Sequence, residues 1–254
     1  WVDAPVGNAT KPVVSQKTTL DDWLYQPLWK QSPKLRTNLS PMSATTPRSW
    51  LLFADGNGVG AQLAQRLRKA GERVNIVTPG VSFSMGESGT YTLNPKQRAD
   101  YDTLAQHLQM QGEAPNAIVH LWNITATCAE SRLQPLADDP IQVDEQLQRG
   151  FYSLFFLTQM LDQQEWSKAA DLWIVSNNMH NVLGTETVQP LKATALGFVR
   201  SIPYEYPGLH CRNIDFAWQA GEASTTQAAD QLWAELHSDE SAPVAAYRGL
   251  RRWL

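Results

Sequence analysis

The sequence predicts an α/β protein with a doubly wound parallel sheet, and three observations carry that prediction. From Ser49 onward, short apolar strands alternate with helices, and parallel strands need such crossovers because each connection passes over a face of the sheet. The runs Trp50-Leu-Leu-Phe-Ala54 and Ala117-Ile-Val-His-Leu-Trp122 are almost continuously apolar, as strands covered on both faces are. The first of them leads straight into Asp55-Gly-Asn-Gly-Val-Gly60, and a glycine turn at that place selects an open Rossmann-like sheet over a barrel.

The elements follow in order. Residues 1–22 are polar, with Pro5 and Pro12 among Thr, Ser and Asn, and read as a linker; residues 23–254 read as one domain. Trp23–Lys30 reads as a short edge strand, because Pro27 has no N–H to give a central ladder. Residues 31–48, rich in Ser, Pro and Thr, read as a loop. After the strand at 50–54, a helix sets Val59, Leu63, Leu67 and Ala70 on one stripe and stops at Gly71. A strand at 73–77 ends at Pro79-Gly80, and 89–93 is a weaker one. A helix starting near Pro95 turns Tyr101, Leu104 and Leu108 inward. Beyond the strand at 117–122, a long helix over 141–163 offers Leu147, Phe151, Leu154, Phe155 and Met160 to the core. A strand at 172–175, a helix near 190–201, a strand at 209–216, a helix near 225–237 and a last strand over 244–254 complete the chain.

Composition excludes several classes of protein. In 254 residues, 43% are hydrophobic and 18% charged, which is too apolar for a disordered chain and enough for a sizeable core. The net charge of −4 argues against a general nucleic-acid surface. No run approaches the ~18 apolar residues of a membrane span. The start, Trp1-Val-Asp-Ala-Pro5, has neither the basic end nor the apolar stretch of a signal peptide, and its lack of Met reads as a piece of a longer chain. Cys128 and Cys211 make no disulfide framework, so a reducing cytoplasm is the expected setting. The five His, at 107, 120, 180, 210 and 237, have no metal-ligand spacing, and no metal site is expected. The ten Trp read as packing for core and interface.

A dinucleotide loop brings backbone N–H groups and a helix N-terminus against a pyrophosphate, and its glycines permit the close approach. Here Gly56, Gly58 and Gly60 alternate as G-x-G-x-G and depart from G-x-G-x-x-G. The single residue between Gly56 and Gly58 leaves fewer amides for a phosphate, and Asp55 adds a charge that repels a diphosphate. The second strand ends Thr78-Pro79-Gly80, without an acid for a ribose hydroxyl or an Arg for a 2′-phosphate. The loop therefore reads as a tight strand-to-helix turn, and no cofactor is expected.

Several segments taken together resemble the structural subdomain of the ketoreductase of modular polyketide synthases. They are Leu24-Tyr-Gln-Pro-Leu-Trp29, the 50–60 and 117–122 segments, Ser153-Leu-Phe-Phe-Leu157, Leu172-Trp-Ile-Val-Ser176, Pro190-Leu-Lys-Ala-Thr-Ala-Leu-Gly-Phe-Val-Arg200, Glu205-Tyr-Pro207, and Ala246-Tyr-Arg-Gly-Leu-Arg-Arg-Trp253. The resemblance implies a duplicated short-chain dehydrogenase/reductase fold whose first half has lost its cofactor site. It also implies a host reaction: NADPH-dependent reduction of a β-ketoacyl chain carried on a phosphopantetheine arm. Reductases of that superfamily use a Ser to hold the carbonyl, and a Tyr and Lys one helical turn apart, as Tyr-x-x-x-Lys, to deliver the proton. Ser176 falls at the end of the fifth buried strand and Lys192 on the helix after it, so both are vestigial candidates. Position 188, however, is Val, no Tyr occurs from Asn177 to Gly197, and the chain contains no Tyr-x-x-x-Lys. Ser176 then reads as a strand-end hydroxyl serving local backbone, and Lys192 as part of a solvated helix face.

Other constellations are no stronger. There is no Gly-x-Ser-x-Gly elbow. Asp138-Asp139 precedes a helix and reads as a cap. His180 lies near the mouth of the sheet and reads as a surface loop His. The resemblance suggests that the strands near 23–30 and 244–253 pair antiparallel outside the main sheet, and Pro27 independently requires an edge. Such an edge carrying Trp23, Trp29 and Trp253 calls for a cover, expected from a ketoreductase catalytic subdomain. The expected function is a non-catalytic scaffold bracing that subdomain, or a pseudo-ketoreductase within a module. Its partners would be the neighbouring dehydratase, methyltransferase or enoyl reductase and acyl carrier protein, with no nucleic acid or membrane. The rival readings are a self-sufficient NADP-dependent ketoreductase with an atypical site, which the missing Tyr disfavours, and a free-standing ligand-binding module.

Overall fold

The computed structural model describes residues 28–33, 35, 48–126, 140–218, 221–238 and 242–254. The chain divides into two units, Trp1–Lys30 and Gln31–Leu254. In the first, only Leu28–Lys30 are described; they have no regular structure, and Trp29 is half-buried. The proposed linker and Trp23 lie outside the described residues.

The second unit is built on one ten-stranded sheet. Its strands are β1 (Gln31–Ser32), β2 (Ser49–Phe53), β3 (Arg73–Pro79), β4 (Ser84–Met85), β5 (Thr90–Leu93), β6 (Ala117–Asn123), β7 (Ala170–Asn177), β8 (Leu209–Phe216), β9 (Val244–Arg248) and β10 (Arg251–Trp253). They lie in the order β1-β10-β9-β8-β7-β6-β2-β3-β5-β4. The seven central strands, from β9 to β5, are parallel, and the pairs β1–β10, β10–β9 and β5–β4 are antiparallel. The doubly wound sheet and the pairing of the N- and C-terminal edge strands are as the sequence predicts.

Alternation along the strands explains the two layers. In β2, Leu51 and Phe53 join one core while Trp50 and Leu52 join the other; in β7, Leu172 and Ile174 oppose Trp173 and Val175 in the same way. The first core is closed by α2 (Arg98–Met110), α4 (Ser153–Gln163) and α5 (Leu196–Glu205), and the second by α1 (Val59–Lys69) and α6 (Glu222–Leu236).

Four expectations need correction. The described edge strand sits at 31–32; of the predicted 23–30, residues 28–30 have no regular structure and 23–27 lie outside the described residues. The last strand turns at Gly249-Leu250 and becomes a hairpin, so that β9 continues the main sheet beside β8. Gly249, at φ +59°, supplies the left-handed turn residue. The long helix is interrupted: α3 (Pro140–Leu147) and α4 flank a π-helical turn over Gln148–Tyr152. Gly150 in that turn packs on Asn123 so tightly that a Cβ would clash with Asn123 Oδ1. The break rotates Phe155 out of the core, leaving it 42% exposed, and Ala70, at the exposed C-cap of α1, also leaves the predicted stripe.

Candidate functional site

The strand order reverses between β2 and β6, the place where open α/β sheets bind nucleotides beyond the carboxyl ends of the strands. In this chain its own residues fill the crevice. The Asp55 carboxylate accepts hydrogen bonds from the N–H groups of Asn57 (2.8 Å), Val59 (3.3 Å) and Gly60 (2.6 Å). Those of Val59 and Gly60 are among the otherwise orphan donors that open α1, the groups a phosphate would take. The sequence reading had Asp55 act by repulsion; in the structure it occupies the amides itself. Asn57 Nδ2 donates across the crevice to Ile124 O (3.1 Å), and Trp122 Nε1 donates to Ala54 O (3.1 Å). Gly58, at φ +96°, takes a left-handed conformation, and a Cβ on Gly60 would lie 3.0 Å from that of Ala54, so both glycines serve this tight turn.

Ser176 and Lys192 come to the next strand ends along the sheet, but neither behaves as expected. Ser176 is buried and donates to the carboxylate of Asp215 (2.9 Å), a side-chain partner on β8 in place of local backbone. Lys192 is 1% exposed, which overturns the solvated-face reading. Lys192 lies in a 3₁₀ turn, Pro190–Ala195, that precedes α5, and is buried there. Its Nζ donates to both the backbone carbonyl (3.0 Å) and the side-chain oxygen of Asn177. Burial lowers its pKa to about 7, against an opposing pull from Asp215. Val188 is half-buried four residues earlier and offers no proton. Tyr91, Tyr101, Tyr206 and Tyr247 all have pKa values raised, first by burial, which is the opposite of what a proton donor needs.

A buried network that the sequence reading missed joins these residues. Asp215 also accepts from the N–H groups of Met179 (2.9 Å) and His180 (3.2 Å) and from Arg248 Nη2 (3.0 Å). Arg248 on β9 donates in turn to Glu186 (2.7 Å) and to the carbonyl of His180. Glu186 gathers the N–H groups of Val182, Leu183 and Thr185. Burial raises the Glu186 pKa, but Arg248 and these amides outweigh it and hold the carboxyl down at about 2. His180, expected as a plain surface residue, is half-buried and donates from Nε2 to Asn213 Oδ1 (2.9 Å); the Asn213 amide nitrogen is turned to Ile174 O and Ser176 Oγ, so its oxygen is the acceptor. The signals available in the sequence were Asp215 near the end of β8 and a single Arg ending β9, either of which needs a partner when buried.

The sequence matches the family described as beta-ketoacyl synthase-like, N-terminal, over residues 49–232. The chain belongs to that family. Among solved structures, an adenylation, ketoreductase and pseudo Asub multidomain structure of a keto acid-selecting NRPS module aligns with a TM-score of 0.75 and 24% identity, over 91% of this chain and 18% of that one. An N-terminal ketoreductase from the macrolactin assembly line aligns at 0.68 and 19%, over 89% and 42%. A short-chain dehydrogenase/reductase from Brucella ovis, in complex with a partially ordered NAD, aligns at 0.59 and 15%, over 76% and 92%. The family member therefore has the short-chain dehydrogenase/reductase fold and spans less than half of either assembly-line structure. No curated protein matches it in sequence. Among the described residues, no helix is long and apolar enough to cross a membrane, and no group of three His, Cys, Asp or Glu side chains could hold a metal ion.

Proposed function

We propose that this chain is a non-catalytic scaffold of a polyketide synthase. It braces a ketoreductase catalytic subdomain or stands as a pseudo-ketoreductase within a module, with residues 1–22 as linker and 23–254 as the scaffold. The observation that carries this reading is the Asp55 carboxylate on the amides that open α1. A cofactor diphosphate would have to displace a covalently attached anion and leave it beside its own charge. The Tyr-free segment from Asn177 to Gly197 supports the same reading, since Ser176 and Lys192 then lack the proton donor they would serve. The assembly-line ketoreductase structures that it resembles supply the context. The host reaction is the NADPH reduction of a β-ketoacyl thioester, performed elsewhere in the assembly, and the neighbouring synthase domains are this chain's partners.

Calorimetry tests the reading. Titration with NADPH to millimolar concentration is expected to give no saturable heat, and mixing with NADPH and a β-ketoacyl thioester to give no NADPH consumption. A micromolar dissociation constant, or consumption that is lost in Ser176→Ala, overturns it.

A further inference from the structure

The segment 178–189, between β7 and the 3₁₀ turn, covers the carboxyl end of the sheet, and its two ends are tied together. Gln189 N donates to Asn178 O (2.8 Å), and Lys192, just beyond, donates to both oxygens of Asn177, just before. Asn177 also exchanges hydrogen bonds with the backbone of Thr125 after β6 (3.0 Å each way), so Asn177, held by the buried amine, joins three segments of the mouth. In the middle of the segment Asn181, Leu183, Gly184 and Thr185 are exposed, and Asn178 is strained at φ +54°.

We infer that 178–189 is a pH-graded cover pinned at its base by Lys192. Closing the cover strips water from an ammonium group; opening it returns that group to solvent. A lysine lowered to about 7 when buried and standing near 10.5 when hydrated binds a proton on opening at any pH between these values. Closure therefore strengthens as pH rises through that range, by up to about tenfold per unit, and opening is favoured as pH falls toward neutrality. The charged groups around the pin are few. The cover itself carries His180 and Glu186, β8 carries Asp215, and β9 carries Arg248. Asp144, Glu145 and Arg149, on the helix and π-turn packed against the 3₁₀ turn, are exposed, as are Arg200 and Glu205 on α5. Of these, Asp215 is the one that acts on Lys192, in the sense opposite to burial. Glu186 stays ionised throughout the range, and His180 is present in wild type and variants alike.

Hydrogen exchange of a peptide spanning 178–191, corrected for the intrinsic pH dependence of exchange, measures the opening. Between pH 7 and 8.5 the opening equilibrium of the wild type is expected to fall at least fivefold. Lys192→Met, which has no proton to bind, is expected to be flat. Lys192→Arg, which stays charged in both states, is expected to be flat as well and keeps the test open where the Met variant fails to fold. A pH-independent wild type, or the same slope in either folded variant, overturns the inference.

Discussion

His120 shows how a single side chain sets a pH response. It lies fully buried in β6, 5.3 Å from the ring of Phe53 and 5.4 Å from that of Trp122. Its Nε2 is 2.9 Å from Ser153 Oγ, and because that hydroxyl donates to Arg149 O, the imidazole is the donor in the pair. Burial lowers its pKa to about 3. The unfolded chain takes up a proton there below about pH 6.5 and the folded chain does not, so stability is lost as pH falls through 6.5, by up to about 1.4 kcal/mol per unit. His120→Phe is expected to flatten the decline of the urea midpoint between pH 6.5 and 5; an unchanged slope rejects the assignment. At this scale the site was half legible. The faults of the glycine loop and the missing Tyr stood in the sequence. That Asp215 would gather Ser176, Arg248 and two amides did not, because its partners lie 33 to 39 residues away along the chain and only the sheet brings them together.

Among the elements, α6 holds the antiparallel edge in place through one carboxylate. Glu235 is buried, and its Oε1 accepts from Arg252 Nε (2.6 Å) and Tyr247 OH (2.8 Å), its Oε2 from Arg212 (3.0 Å) and Arg252 Nη2 (3.2 Å). Arg252 reaches on to Ser32 Oγ (3.0 Å), which fastens β1. Removing one partner of a buried pair costs about 3–5 kcal/mol where nothing else answers the other; here Arg212 and Tyr247 still hold Glu235, so Arg252→Met is expected to cost up to about 3 kcal/mol of unfolding free energy. Glu235→Gln removes the charge that Arg252 answers, so Arg252→Met with Glu235→Gln is expected to cost less than the sum of the two single changes by urea denaturation; additive costs refute the coupling. The central strands were legible because burial on both faces writes itself as unbroken apolar runs. The edges were not: β1 is two residues long, and β9 and β10 read as one strand because the Gly249-Leu250 turn that separates them is as short as a turn can be. The π-turn was hidden, since the close approach of Gly150 to Asn123 that accompanies it is a contact between distant segments.

At the scale of the whole sheet, Asp55 and Asn57 occupy the crevice at the switch point, and several aromatic side chains stand exposed. Tyr152 and Phe155 on the α4 side and Tyr204 on α5 are all exposed, whereas Trp29 and Trp253, which the sequence marked for an interface, are half-buried. Isolated exposed apolar residues are common, but aromatics are enriched where one protein surface meets another. Edge pairing offers the partner less, since β1 presents only Gln31 and Ser32. The chain also accounts for 42% of the macrolactin ketoreductase structure it aligns with, which leaves room for a second half of similar size. If this chain braces that half, the two expressed as separate polypeptides from one synthase are expected to co-purify. Phe155→Glu, which places a charge on the helix face without touching the buried core, is expected to weaken the association at least tenfold and to leave the circular dichroism of this chain unchanged. Trp29→Asp serves as the competing test of the N-terminal segment. Halves that ignore each other remove the bracing role; association that survives Phe155→Glu but not Trp29→Asp moves the contact from the helix face to the segment before β1.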